Sequence, residues 1–295
     1  MDLLVSFLEI LTPPPQKTPV KISHTVLVAG LLSCVGIAPA KAATVFVQGV
    51  NAGGGWLDVN KTWVDDTQLC WAAATANVLS YTGWTGGAGL GAPADILADY
   101  THYWQDAGGH AYYAINWWFD GNNPTQGVAG WAQLTDLTHP GFYTTDLYGS
   151  HILYDGNFTA GLEATLLGYV NGTSPMGNMG LTLSVGWYIG STRYGGHAIT
   201  LWGIDPDTDQ LLFTDSDDHL TALQIYGYNA DTKTIVGYGG GYTAKIEGVT
   251  GLAMKTAEDP APTVRVVPEP AESAAILGLL ALGTLLPIRR RHPRA

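Results

Sequence analysis

Residues Gly195 to Asp218 read "GGHAITLWGIDPDTDQLLFTDSDD": two apolar runs of period two, parted by an Asp-containing turn and closed by a cluster of acids. Alternation at that period marks half-buried strands. It recurs from Leu181 onward in "LTLSVGWYIG", "LTALQIYGYNA", "TKTIVGYGG" and "AKIEGVTGLAMK", with Gly and Asp turns between the runs. Upstream the pattern changes. The segment "CWAAATANVLSYTGW" is Ala-rich and free of Gly and Pro until Gly83, which predicts a helix from about Cys70, with Asp65, Asp66 and Thr67 supplying its cap. Two further helices are predicted over Pro93–Trp104, where Pro opens the first turn, and over Asn157–Val170. Helices first and an antiparallel sheet in the C-terminal half make an α+β layout.

The composition suits a globular body. Of 295 residues, 46% are hydrophobic and 13% charged, enough for one sizeable core or two small ones. Net charge is -12, and residues 43–264 carry five basic side chains against 21 acids. Nucleic acid is therefore not an expected partner, because phosphate binding needs a basic surface.

Both ends read as addresses. Lys21 precedes an apolar run that closes on Ala40-Lys41-Ala42, an A-x-A cleavage pattern, so residues 1–42 are expected to be a secretory signal peptide. Leu31-Leu32-Ser33-Cys34 also fits a lipobox, which keeps a lipoprotein signal open. At the other end, residues 268–295 hold Pro268-Glu269-Pro270, an apolar stretch over 273–288, and Arg289, Arg290 and Arg291. As a helix that stretch would span roughly 24 Å against a hydrocarbon core of about 30 Å. This order resembles the PEP-CTERM sorting signal of Gram-negative bacteria, which implies an exosortase as partner, a membrane-bound stage before processing, and delivery to the cell surface or extracellular matrix. An ordinary tail anchor is the plainer alternative. Residues 256–267 read as a linker and 43–255 as one mature domain.

Removal of Cys34 with the signal leaves Cys70 without an intramolecular partner in an oxidising compartment. A thiolate is the reactive form of cysteine, and a helix start favours it. The plainer reading is a buried structural cysteine. His197 follows two glycines just inside a strand, where it can take a thiol proton, unless it is simply a hydrogen-bonded core residue. Asp215, Asp217 and Asp218 end the next strand, so that a carboxylate can orient the imidazole, although a solvated acidic turn has the same composition. Asp205, Asp207 and Asp209 have the spacing of a calcium loop, but Gln210 and Ser216 stand where the turn glycine and bidentate Glu belong. No metal or cofactor enters this reading.

Two blocks, "GWLDVNKTWVDDTQLCWAAATANVLSY" (55–81) and residues 195–218, closely resemble the catalytic blocks of the IdeS/Mac family, secreted bacterial cysteine endopeptidases of papain-like fold known for cleaving immunoglobulin G. The resemblance covers about 50 residues. It implies a papain-like domain over 43–255, with Cys70 as nucleophile, His197 as general base and later acid, and Asp215 orienting His197 with support from Asp217. Lys61 would help an oxyanion hole. Two departures stand out: the Lys61 to Cys70 spacing is one residue short, and Trp71 occupies a position where Gly is more usual.

The function expected is therefore that of an exported cysteine endopeptidase acting on a protein or peptide. Immunoglobulin as substrate does not follow, because the tail suggests an environmental bacterium. The alternative is a non-catalytic surface or matrix binding protein on the same fold.

Overall fold

The structure, a computed structural model, describes residues 43–136, 141–143 and 147–263. The expected signal peptide with Cys34, the PEP-CTERM tail with its membrane segment 273–288, and the last part of the linker lie outside the described residues. Among the described residues no helix is long and apolar enough to cross a membrane.

Helix α1 (Cys70–Thr82) starts at the cysteine and ends where Gly83 takes a left-handed conformation (φ 82°) that a side chain would strain. Its cap is not the expected one. Leu69 occupies the N-cap position without a side-chain hydrogen bond, while Asp66 accepts from the Thr62 N–H at 2.6 Å and Thr67 Oγ1 donates to Asp106 at 2.6 Å. Residues Trp71 to Leu79 are buried all round, which explains the alanine run: small side chains let neighbours close on every face. Those neighbours are α2 (Pro93–Tyr103), α3 (Ala111–Asp120) and three strands of the sheet. A four-residue turn, α4 (Tyr148–His151), and α5 (Leu162–Val170) complete the helices among the described residues. The last begins five residues later than expected because Gly161, at φ 88°, lies outside the helical region.

The sheet overturns the papain-like α+β expectation. Strands β3 (Met179–Ile189), β4 (Thr192–Asp205), β5 (Gln210–Thr214), β6 (Gln224–Asn229), β7 (Thr234–Val236) and β8 (Thr243–Ala253) close into an antiparallel barrel in the order β4-β3-β8-β7-β6-β5, with β5 pairing back onto β4. Two strands that precede β3 in the chain extend it: β1 (Val45–Phe46) on β4 and β2 (Ile152–Asp155) on β8. The periodicity of the sequence was compatible with an open or a closed sheet, since alternation records which face is buried and not which strands meet at the seam. Closure depends on long β4 serving two partners in succession: it pairs with β3 through Leu201 and with β5 from Thr200 to Asp205. Gly203 makes the further addition of β1 possible, because a Cβ there would lie 2.9 Å from the Val45 carbonyl oxygen.

Asp205, Asp207 and Asp209, with the spacing of a calcium loop, form the β4–β5 turn. Asp205 Oδ1 accepts from the N–H groups of Asp207 and Thr208, and its Oδ2 accepts from Thr44 Oγ1. Two apolar clusters result, one inside the barrel around Trp202, Phe213 and Leu183, the other among the helices around Trp84, Trp117 and Trp118. Asn77 ties them together: from α1 it accepts from Val59 N–H and donates to Thr200 Oγ1 on β4.

Candidate active site

Five residues singled out from the sequence meet at one cleft of about 550 Å³ between α1 and the barrel. Cys70, His197, Lys61 and Asp217 line it, and Asp215 stands behind His197. Cys70 arrives on the uncapped first turn of α1, whose leading N–H groups carry the positive end of the helix dipole. His197 arrives on β4 opposite Val185 of β3, and Asp215 immediately follows β5, the strand hydrogen-bonded to β4. The β4–β5 pairing thus converts 18 residues of sequence separation into direct contact.

His197 Nε2 and Asp215 Oδ1 are 2.7 Å apart, both side chains buried. A carboxylate can only accept there, which fixes the proton on Nε2 and leaves Nδ1 for the thiol. Asp215 accepts two further hydrogen bonds, from the Asp217 N–H at 3.0 Å and from the Tyr238 hydroxyl at 2.5 Å. Cys70 and His197 line the same cleft and interact electrostatically. Burial alone would push the thiol up, but neighbouring His197, aided by Lys61, outweighs it and holds Cys70 below the ordinary thiol value. Burial would likewise depress His197, yet Cys70 and Asp215 together raise it well above the ordinary imidazole value. The two shifts share a cause: each group stabilises the charged form of the other, which favours a thiolate–imidazolium pair.

Lys61 is not directed at open space. Its Nζ lies 2.7 Å from Asp217 Oδ1 and donates to the Thr67 carbonyl at 2.6 Å, so it braces the loop leading into α1. Asp217 Oδ2 comes within 3.8 Å of His197 Nδ1. His197, Asp215 and Asp217 each offer a ligand atom, all within 4.8 Å of one another, and among the described residues are the group that could hold a cation. The Lys61 ammonium and the Tyr238 hydroxyl already occupy carboxylate oxygens of that group, however, which suits proton transfer better than cation binding.

Trp71 does not block the cleft. Its indole donates to the Ala107 carbonyl at 3.0 Å, packs edge-on to Tyr100 and Trp104, and forms part of the wall against Gly109.

Sequence reasoning missed four contributors. Trp187 stacks on the His197 ring at 5.8 Å and 20°. Tyr238 closes the chain of hydrogen bonds behind Asp215. On the far wall, His110 Nδ1 accepts from the Tyr112 N–H, which puts the proton on Nε2 facing Ser184; burial, against the pull of Glu247, lowers its pKa to about 4, so it stays neutral. Beside it Arg193 grips Glu247 with two hydrogen bonds of 2.7 and 2.8 Å. None had a signal in the sequence: each is an ordinary strand or loop residue until the barrel closes around it. Compared with the models of protein families and with curated proteins, the chain matches none.

Proposed function

We propose that the protein is a cysteine endopeptidase that hydrolyses peptide bonds through Cys70, His197 and Asp215. The observation that carries this reading is that Cys70, at an uncapped helix start, lines one cleft with His197, whose Nε2 is hydrogen-bonded to buried Asp215. Further support comes from the resemblance to IdeS/Mac peptidases, because the two blocks that carry it supply Lys61, Cys70, His197 and Asp217 to the cleft. In this mechanism the Cys70 thiolate adds to the scissile carbonyl carbon, and the backbone N–H groups opening α1 face the developing oxyanion. The C–N bond then breaks as His197 Nδ1 gives its proton to the departing amine, leaving a thioester on Cys70. Water, deprotonated by His197, attacks that thioester and releases the acid, and the thiolate and imidazolium return. Lys61 keeps the thiol loop in place and adds positive charge to the site. With the PEP-CTERM-like tail, this activity belongs outside the inner membrane.

The test uses fluorescent casein and iodoacetamide. The intact chain should cleave casein, and Cys70→Ala should abolish cleavage. Because the thiol is held low and the imidazole high, Cys70 should alkylate well below the pH of an ordinary thiol, and His197→Ala should move that reactivity up towards the free-thiol range near 8.5. Cleavage by Cys70→Ala, or alkylation only in the free-thiol range, would overturn the proposal.

A further inference from the structure

We infer that Tyr238 is the positioning residue of this site, holding the Asp215 carboxylate in the one orientation that keeps His197 aimed at Cys70; this rests on the catalytic reading above. Asp215 has two oxygens with separate duties. Oδ1 takes the His197 Nε2–H at 2.7 Å and the Asp217 N–H at 3.0 Å, while Oδ2 takes the Tyr238 hydroxyl at 2.5 Å. With both oxygens anchored, the carboxylate plane cannot turn about its Cβ–Cγ bond, and the imidazole hydrogen-bonded to it cannot swing.

The hydroxyl is itself held in place. The Tyr238 ring is buried among Trp187, Phe213 and Tyr226, at centroid distances of 5.3, 5.3 and 5.2 Å. These come from β3, β5 and β6, so closure of the barrel is what builds the socket. Trp187 has a second contact, stacking on His197, so one indole touches both the base and the residue that anchors its carboxylate. Burial and the neighbouring Asp215 push the Tyr238 phenol far above its ordinary value, which keeps it a donor at every working pH. The charged and titratable groups around the carboxylate are His197, Cys70, Lys61, Asp217 and Asp58. None of them reaches Oδ2 as a hydrogen-bond donor.

Tyr238→Phe keeps the ring and its socket and removes only the hydroxyl, which leaves Oδ2 buried and unpaired. The freed carboxylate then turns from His197, and the imidazolium loses its partner. Expected results in the full chain are a fall of roughly tenfold in casein kcat with little change in KM, and an acid limb of Cys70 alkylation displaced to higher pH. Alkylation is followed on the Cys70 peptide by mass spectrometry. A double-mutant cycle separates positioning from simple packing: in an Asp215→Asn background, Tyr238→Phe should have no further effect on either readout. An unmoved acid limb, or full additivity with Asp215→Asn, would overturn the role of Tyr238 alone. Failure of the unmodified chain to show low-pH alkylation would remove the catalytic reading as well.

Discussion

Asp58 is a titratable residue where burial works against the fold. Its Oδ2 accepts from the Ala222 N–H, but Oδ1 is buried without a hydrogen-bond partner. Burial pushes its pKa up to about 7, the Ala222 N–H opposing and Asp218 and Asp215 adding to the rise. A carboxyl raised in the folded state binds its proton more tightly there than when unfolded. It therefore withdraws stability as pH climbs from its unfolded value of about 4 to about 7. Asp58→Asn should stabilise the fold at pH 8 by about 1 kcal/mol after allowance for solvent screening, seen as a higher thermal midpoint, and do much less at pH 5. Thermal unfolding at the two pH values checks this, and equal gains would contradict it. Nothing in the local sequence, "WLDVN", separates this acid from an ordinary exposed one, since its pKa depends on groups from 215 to 222. Cys70 is the opposite case: its place at a helix start was legible from the local sequence, which left a reactive thiol and a buried structural one both open.

Helix α1 is the element on which the site depends. Its apolar composition predicts a buried helix, yet its first turn is steered by partners remote in sequence. The loop before it is tethered by Asp106, which accepts from both Thr67 Oγ1 and the Gln68 N–H at 2.6 Å. Trp71 anchors the turn itself through Ala107 and lies directly over Gly109. A Cβ at Gly109 would fall 2.3 Å from the indole, so Gly109→Ala must displace Trp71 and with it Cys70. The expected cost is about 1–3 kcal/mol of stability, typical of overpacking, together with a loss of casein cleavage larger than that destabilisation explains. Urea unfolding and kcat measured on folded protein separate the two. Wild-type turnover in a destabilised Gly109→Ala would show that the α1 start is not positioned by this contact.

At the scale of the whole molecule, the barrel and the helical layer divide the labour. The helices deliver the thiol, the barrel delivers the imidazole and carboxylate, and the β4–β5 seam fixes their distance. Phe213 packs at that seam, fully buried two residues before Asp215 and against Tyr238. Phe213→Ala should cost about 3–5 kcal/mol and, where the protein remains folded at low temperature, lower kcat through loss of the Asp215 socket. Calorimetry beside casein kinetics provides the check; lost stability with unchanged kcat would mean that the seam does not govern the site.

The sequence by itself determined the pieces whose signals are local: a helix opening at Cys70, alternating strands from Leu181 onward, and a cysteine, a histidine and acids placed where thiol chemistry could use them. These follow from periodicity, from helix-forming composition and from the few residue types able to act as nucleophile or base. Only the tertiary structure decided that the strands close into a six-strand barrel rather than a papain-like sheet, that Lys61 braces Asp217, and that Tyr238 and Trp187 join the site. Those outcomes rest on pairings between residues far apart in the chain, such as Leu201 with Phe213 and Tyr238 with Asp215. Alternation records which face of a strand is buried, but a seam is chosen by long-range packing and by where bare glycine backbone such as Gly203 admits a neighbour.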